Sequence, residues 1–178
     1  MAQLQAMAEE RVRVVPMIID FLGTFLIPAT TSEFIIREKF VIDTSCKAEV
    51  KISFLGDNFK GWFLDKREKS IVEQILKYSR LLKCSTDRSI IADLGGEVKA
   101  EVTLSELFYL MKIQGKGEEG ILLTNGYANV FYVKDTACVL RAVHVHWHGG
   151  GWHVIADSVE AQDVWSEGRQ VFSRSSVT

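Results

Sequence analysis

Val139–Val159 reads VLRAVHVHWHGGGWHVIADSV and holds all four histidines of the chain, His144, His146, His148 and His153. From Ala142 to His148 the residues alternate, with Val143, Val145 and Trp147 apolar and the three histidines between them. A period of two is the mark of a strand with two unlike faces. Gly149, Gly150 and Gly151 follow, and glycine tolerates the positive φ that a tight hairpin turn demands. A second alternating run, Trp152 to Ala156, completes the hairpin. With Gly149-Gly150 as a two-residue turn, Trp147 faces Trp152, Val145 faces Val154 and Val143 faces Ala156, all on one side. His144, His146, His148 and His153 then share the other side, with His146 opposite His153. A three-residue turn would set His153 opposite Trp147 and mix the faces. A one-residue slip inverts every side chain, so segregation selects the even register.

The 178 residues suffice for one sizeable core, and a hydrophobic fraction of 47% with two prolines excludes a disordered chain. The net charge of −2, with acids and bases interspersed, gives no electrostatic reason to invoke nucleic acid. Cys46, Cys84 and Cys138 are odd in number, far apart and outside any CxxC. That argues against a disulfide framework or a cysteine zinc site and suits a reducing compartment. Each cysteine is expected to be a small buried side chain.

Working outward, residues 1–13 are rich in helix formers. The run Val14–Ala29, VVPMIIDFLGTFLIPA, is the most apolar stretch. It is shorter than the roughly 20 residues that span a membrane, and Asp20 interrupts it. A buried helix or strand pair is expected there. The rivals are a signal segment, which Asp20 and Glu9-Glu10 count against, and an oligomer contact. Residues 34–42 and 50–55 read as a strand pair around the turn residues Asp43-Thr-Ser45. Trp62 and Phe63 lie near Gly56 and Gly61, where a small pocket or core packing under a loop is possible. Ile71–Lys83 has apolar residues at helical spacing, with Ser70 and Glu73 as a capping box. Ser89–Leu94 is a short apolar run that ends in a Gly95-Gly96 turn. Thr103 opens the clearest helix, with Glu106 completing a capping box and Leu104, Leu107, Phe108 and Met111 forming its buried stripe. After Gly120 the texture becomes that of a β-meander. Asn125-Gly126 is a turn, Ala128–Val133 a strand, Asp135-Thr-Ala137 a turn, and Gln170–Arg174 a final strand.

The expected fold is therefore α+β: an antiparallel C-terminal β-meander, one or two packed helices and an N-terminal strand pair. The expected divisions are an apolar segment 1–30, a mixed part 31–115 and the meander 116–178, with 31–178 as one compact domain.

The chain also resembles a group of bacterial proteins of uncharacterised function. The likeness rests on Gly95-Gly96-Glu97, the helix from Thr103, Leu122-Leu-Thr-Asn-Gly-Tyr-Ala-Asn129 and Phe131-Tyr-Val133. Val139-Leu-Arg-Ala-Val143, Gly151-Trp152, Trp165 and Val171-Phe-Ser-Arg174 add to it, and it extends back to Gly56-Asp-Asn-Phe59 and Trp62-Phe-Leu64. The resemblance implies a bacterial source and no mechanism. A histidine-rich face is not a hallmark of that group, so no shared metal-dependent activity follows.

Three function classes remain open. The first is a non-enzymatic binding or protein-interaction module. No Gly-x-Ser-x-Gly elbow, phosphate loop or dinucleotide fingerprint is present, and Glu9-Glu10 and Glu118-Glu119 are adjacent pairs whose side chains diverge. The residues expected at its surface are Trp152, Trp165, Tyr127 and Trp62, types enriched in recognition surfaces. Its partner would be an unknown protein, with residues 14–29 as a possible homo-oligomer contact. The second class is a zinc-type metal site, with hydrolysis as the chemistry it would support. Same-face neighbours on a strand lie about 7 Å apart, and directly opposed residues have Cβ atoms about 5 Å apart. His146, His153 and either His144 or His148 could then supply three nitrogens, leaving a fourth position for water. Asp157 falls on the same face and could orient a ligand. The plain alternative is a solvated polar face with no cofactor. The third class is a weak nucleic-acid binder through an aromatic β-surface, with Lys134, Arg141 and Arg169 as its few cations. A cytoplasmic protein without a membrane anchor is expected.

Overall fold

The structure is a computed structural model that describes residues 17–175. The helix-forming run 1–13 and residues 14–16 of the apolar run lie outside the described residues. In chain order, β1 (Ile19–Ile27) is followed by β2 (Phe34–Ile35), the helical turn α1 (Ile36–Lys39) and β3 (Ile52–Leu55). Next come α2 (Asp57–Phe63), β4 (Arg67–Glu68), β5 (Gln74–Leu81) and β6 (Ser85–Thr86). Three helices follow, α3 (Asp87–Asp93), α4 (Glu97–Ala100) and α5 (Leu104–Ile113). The chain closes with β7 (Asn129–Lys134), β8 (Leu140–His148), β9 (Gly151–Ser158), β10 (Val164–Trp165) and β11 (Gln170–Arg174).

The fold is α+β. Among the described residues a mixed seven-stranded sheet runs in the order β1-β5-β11-β7-β8-β9-β3, with small ribbons β2–β4 and β6–β10 beside it. The meander β7-β8-β9 is antiparallel, while β11 joins β7 and β3 joins β9 in parallel. One sheet face carries the larger core, where Val143, Val145, Trp152, Val154, Phe131 and Phe172 meet Leu104, Leu107 and Met111 of α5 and Phe59 and Phe63 of α2. The opposite face carries a smaller core, where Val130, Tyr132, Ala142 and Val171 meet Ile90 and Ile91 of α3 and Ala100 of α4.

The helix read at Thr103 forms as its capping box requires. Thr103 Oγ1 accepts the Glu106 N–H, and Glu106 Oε2 accepts the Thr103 N–H at 2.6 Å. The next free amides of that first turn, Leu104 and Ser105, donate to the buried Glu68 carboxylate at 3.0 and 2.8 Å. A helix N-terminus leaves such donors without intrahelical partners, so β4 completes α5. Arg174 of β11 reaches Glu106 at 3.1 Å and ties the helix to the sheet.

Several segments differ from expectation. Ile71–Lys83 contains the strand β5 and no helix. β5 lies between β1 and β11, with Leu76 in the larger core and Leu81 in the smaller. A strand covered on both faces loses its alternation, which leaves apolar spacing that imitates a helix. Residues 34–42 supply the short β2 before turning into α1, and Ile36 of α1 and its C-cap Phe40 enter the larger core. The two runs still meet as the expected pair, through the antiparallel bridge Asp43–Ile52 and shared packing in the larger core. Within residues 17–29 the apolar run forms one edge strand, β1 (Ile19–Ile27), in place of a buried helix or strand pair. It continues the same sheet as the meander, and Phe21 and Leu26 on it are 57% and 52% exposed. All three cysteines are exposed and free, contrary to the expected small buried side chains. No helix among the described residues is long and apolar enough to cross a membrane.

Candidate functional site

The β8–β9 hairpin adopts the even register. Gly149 and Gly150 have φ of 61° and 87°, the pair of positive values a type I′ turn needs. Trp147 pairs with Trp152, His146 with His153, Val145 with Val154 and Val143 with Ala156. The apolar set enters the larger core, and the histidines stand on the opposite face.

On that opposite face the rings form a continuous row. Phe54 of β3 lies 5.3 Å from His153, centroid to centroid. His153 lies 4.9 Å from His146 and 5.3 Å from His148. His146 stacks at 6.1 Å from His144, and His144 meets the edge of Trp165 at 5.0 Å. Phe54 and His148 are exposed, while His146, His153 and Trp165 are half-buried. Burial, and then the neighbouring His153, His144 and His148, holds the His146 imidazolium down to a pKa of about 4. Burial, and then His148, also lowers His153. His146 and His153 are therefore uncharged at neutral pH.

The closed end of the row is fixed by a buried carboxylate. The β6–β10 ribbon pairs Trp165 with Ser85, two residues before Asp87. Trp165 Nε1 and the Tyr132 hydroxyl both donate to Asp87 Oδ1 at 2.8 Å. Burial raises Asp87, against the lowering effect of those two donors. Burial and the adjacent Asp87 raise the Tyr132 hydroxyl far above the ordinary tyrosine range. Next along the row, His144 Nε2 lies 3.2 Å from Asp157 Oδ2, and Nδ1 of the same ring is buried without a partner among the described residues. This His–Asp pair has the form of a base with its orienting group, but no hydroxyl or thiol among the described residues is bonded to it.

The four residues expected at a binding surface do not come together. Trp152 is fully buried, and its indole N–H donates to the Gln114 carbonyl at 3.0 Å, so it is a core side chain. Trp62 packs against the larger core, with the Arg141 guanidinium 3.9 Å above its ring. Trp165 packs on the other side of the sheet. Tyr127 is 46% exposed and sits under Arg169 at 4.8 Å. Of the expected surface residues, Trp165 alone belongs to the ring row, beside all four histidines. Asp157 meets His144 and not the His146–His153 pair. Phe54, Asp87 and Tyr132 are not among the site residues that the sequence points to. Phe54 arrives through the parallel β3–β9 pairing across almost a hundred residues, for which no local signal exists. Asp87 follows the N-cap Thr86 and reads as an ordinary first-turn acid.

No protein-family model matches the chain, and neither a curated protein nor a solved structure matches it.

Proposed function

We propose that the chain is a non-enzymatic binding module, and that the ring row from Phe54 to Trp165 is its contact surface for a protein partner. One observation carries this reading: an aromatic row crosses β3, β9 and β8 where the sheet face is no longer covered by α3 and α4. His146, His153 and Trp165 of this row are half-buried, and aromatic side chains offer contact area at low ordering cost. The Asp87 anchor holds Trp165 in place before any partner arrives, and such preorganisation favours binding. The partner would present a largely uncharged surface, since ions would have to be desolvated against the neutral His146 and His153.

Affinity capture with the chain and with a Phe54→Ser/His148→Ala variant tests the reading. Both positions are exposed, so the variant should keep its fold by circular dichroism. A partner held by the parent and released by the variant is the expected result. Equal recovery on both would remove the ring row as the contact surface.

A further inference from the structure

His146 and His153 are directly opposed on β8 and β9, with ring centroids 4.9 Å apart and planes inclined at 49°. His148, the next same-face residue on β8, lies 5.3 Å from His153 at 78°. Two imidazole nitrogens bound to one ion at about 2.0–2.1 Å place their ring centroids roughly 5 Å apart. Both spacings to His153 meet that requirement. His144, at 6.1 Å from His146, does not, and its Nε2 is engaged by Asp157. The only histidine hydrogen bond or ion pair among the described residues is that of His144, so the other three rings have no competing protein partner.

We infer that His146, His148 and His153 form a binding site for a divalent transition metal of the zinc or copper class. Imidazole suits these ions, and carboxylate-preferring calcium or magnesium would not be selected. His146 and His153 are the fixed bite, because a cross-strand ladder position sets their separation. His148 is the moving arm. Among the described residues no three side chains already converge on a metal position, so His148 must turn to complete the set. An exposed side chain changes rotamer on the picosecond-to-nanosecond scale and meets little resistance. The remaining coordination position faces solvent. This inference does not depend on the existence of a protein partner.

The experiment uses the untagged full chain with Cys46, Cys84 and Cys138 replaced by serine, because exposed thiols would compete for the ion. Zinc and copper are titrated calorimetrically, and the copper form is read by electron paramagnetic resonance. One ion per chain with nitrogen couplings from imidazole is expected. His153→Ala, which removes the ring common to both close pairs, should weaken binding by about tenfold or more. His148→Ala should weaken it several-fold, and His144→Gln should leave it as in the parent. His148 is exposed, so His148→Ala carries the test if His153→Ala does not fold. Absence of binding in the parent overturns the site. So does a parent-like affinity in both alanine variants. A loss with His153→Ala alone, His148→Ala being silent, removes His148 and overturns the three-ligand assignment.

Discussion

On one face of the β8–β9 hairpin Val143, Val145, Trp152, Val154 and Ala156 are fully buried. On the other face, at alternate positions of the same two strands, His146 and His153 are half-buried and His148 is exposed. The backbone and its hydrogen-bonded ladder are common to both, so the difference comes only from what lies above each face. α5 and α2 cover the first, whereas α3 and α4 reach the second only as far as Ala142 and Trp165. A period-two backbone can thus hold the fold with one set of side chains and leave the other set free for chemistry.

The largest expected effect is on the covered face. Trp152→Ala should cost about 3–5 kcal/mol, because it opens a large cavity in the core. It also deprives the Gln114 carbonyl of its indole donor. Equilibrium denaturation measures the loss. A cost below about 1 kcal/mol would mean that the two faces do not differ in their contribution to stability.

The turn that assigns residues to faces comes next. Gly150 at φ 87° should not accept a β-branched residue, and Gly150→Val should cost about 1–2 kcal/mol. Gly149→Asn should be tolerated, since Asn-Gly is the favoured type I′ pair. Equal melting temperatures for the two variants would show that the turn does not hold the register.

A smaller effect separates the faces by pH. His146 titrates at about 4 in the fold, against about 6.5 in an unfolded chain. Above pH 6.5 it is neutral in both states and opposes nothing. As pH falls from about 6.5 towards about 4, the unfolded chain takes up a proton that the fold resists, so stability is lost across that window. His153, also lowered, adds in the same direction. The melting temperature should fall over this range, and His146→Gln should flatten the decline. An unchanged slope in that variant would mean that the imidazole is not held neutral. No core-face residue of the hairpin titrates there.

The hairpin was legible because its two faces are chemically unlike and its turn is glycine. α5 was legible because Thr103 and Glu106 announce its start. β5 was not, because cores on both sides of the sheet erase the alternation that identifies a strand. The ring row was legible in its histidines and not in its ends. Phe54 and Asp87 reach it through pairings remote in sequence, β3 with β9 and β6 with β10. Trp152 was misplaced for a related reason: a tryptophan opposite another tryptophan on an alternating strand marks a face, and alternation alone does not say which face is covered.

The smallest effect is expected at the hairpin tip, where adjacent residues point to opposite faces. Trp147 meets Trp152 edge-on at 5.5 Å and packs against the larger core, and a Cβ at Gly117 would lie 2.3 Å from its ring. His148 is exposed and pairs across the ladder with Gly151, which offers no side chain to touch. His148→Ala should therefore change stability by no more than about 0.5 kcal/mol, as surface substitutions do. Trp147→Ala, one residue earlier, should cost clearly more, since it removes an aromatic contact and opens space above Gly117. Parallel denaturation of the two variants measures the difference across a single peptide step. Comparable losses would mean that His148 packs as tightly as Trp147. An exposed ring free to turn, on which the third metal ligand depends, would then not exist.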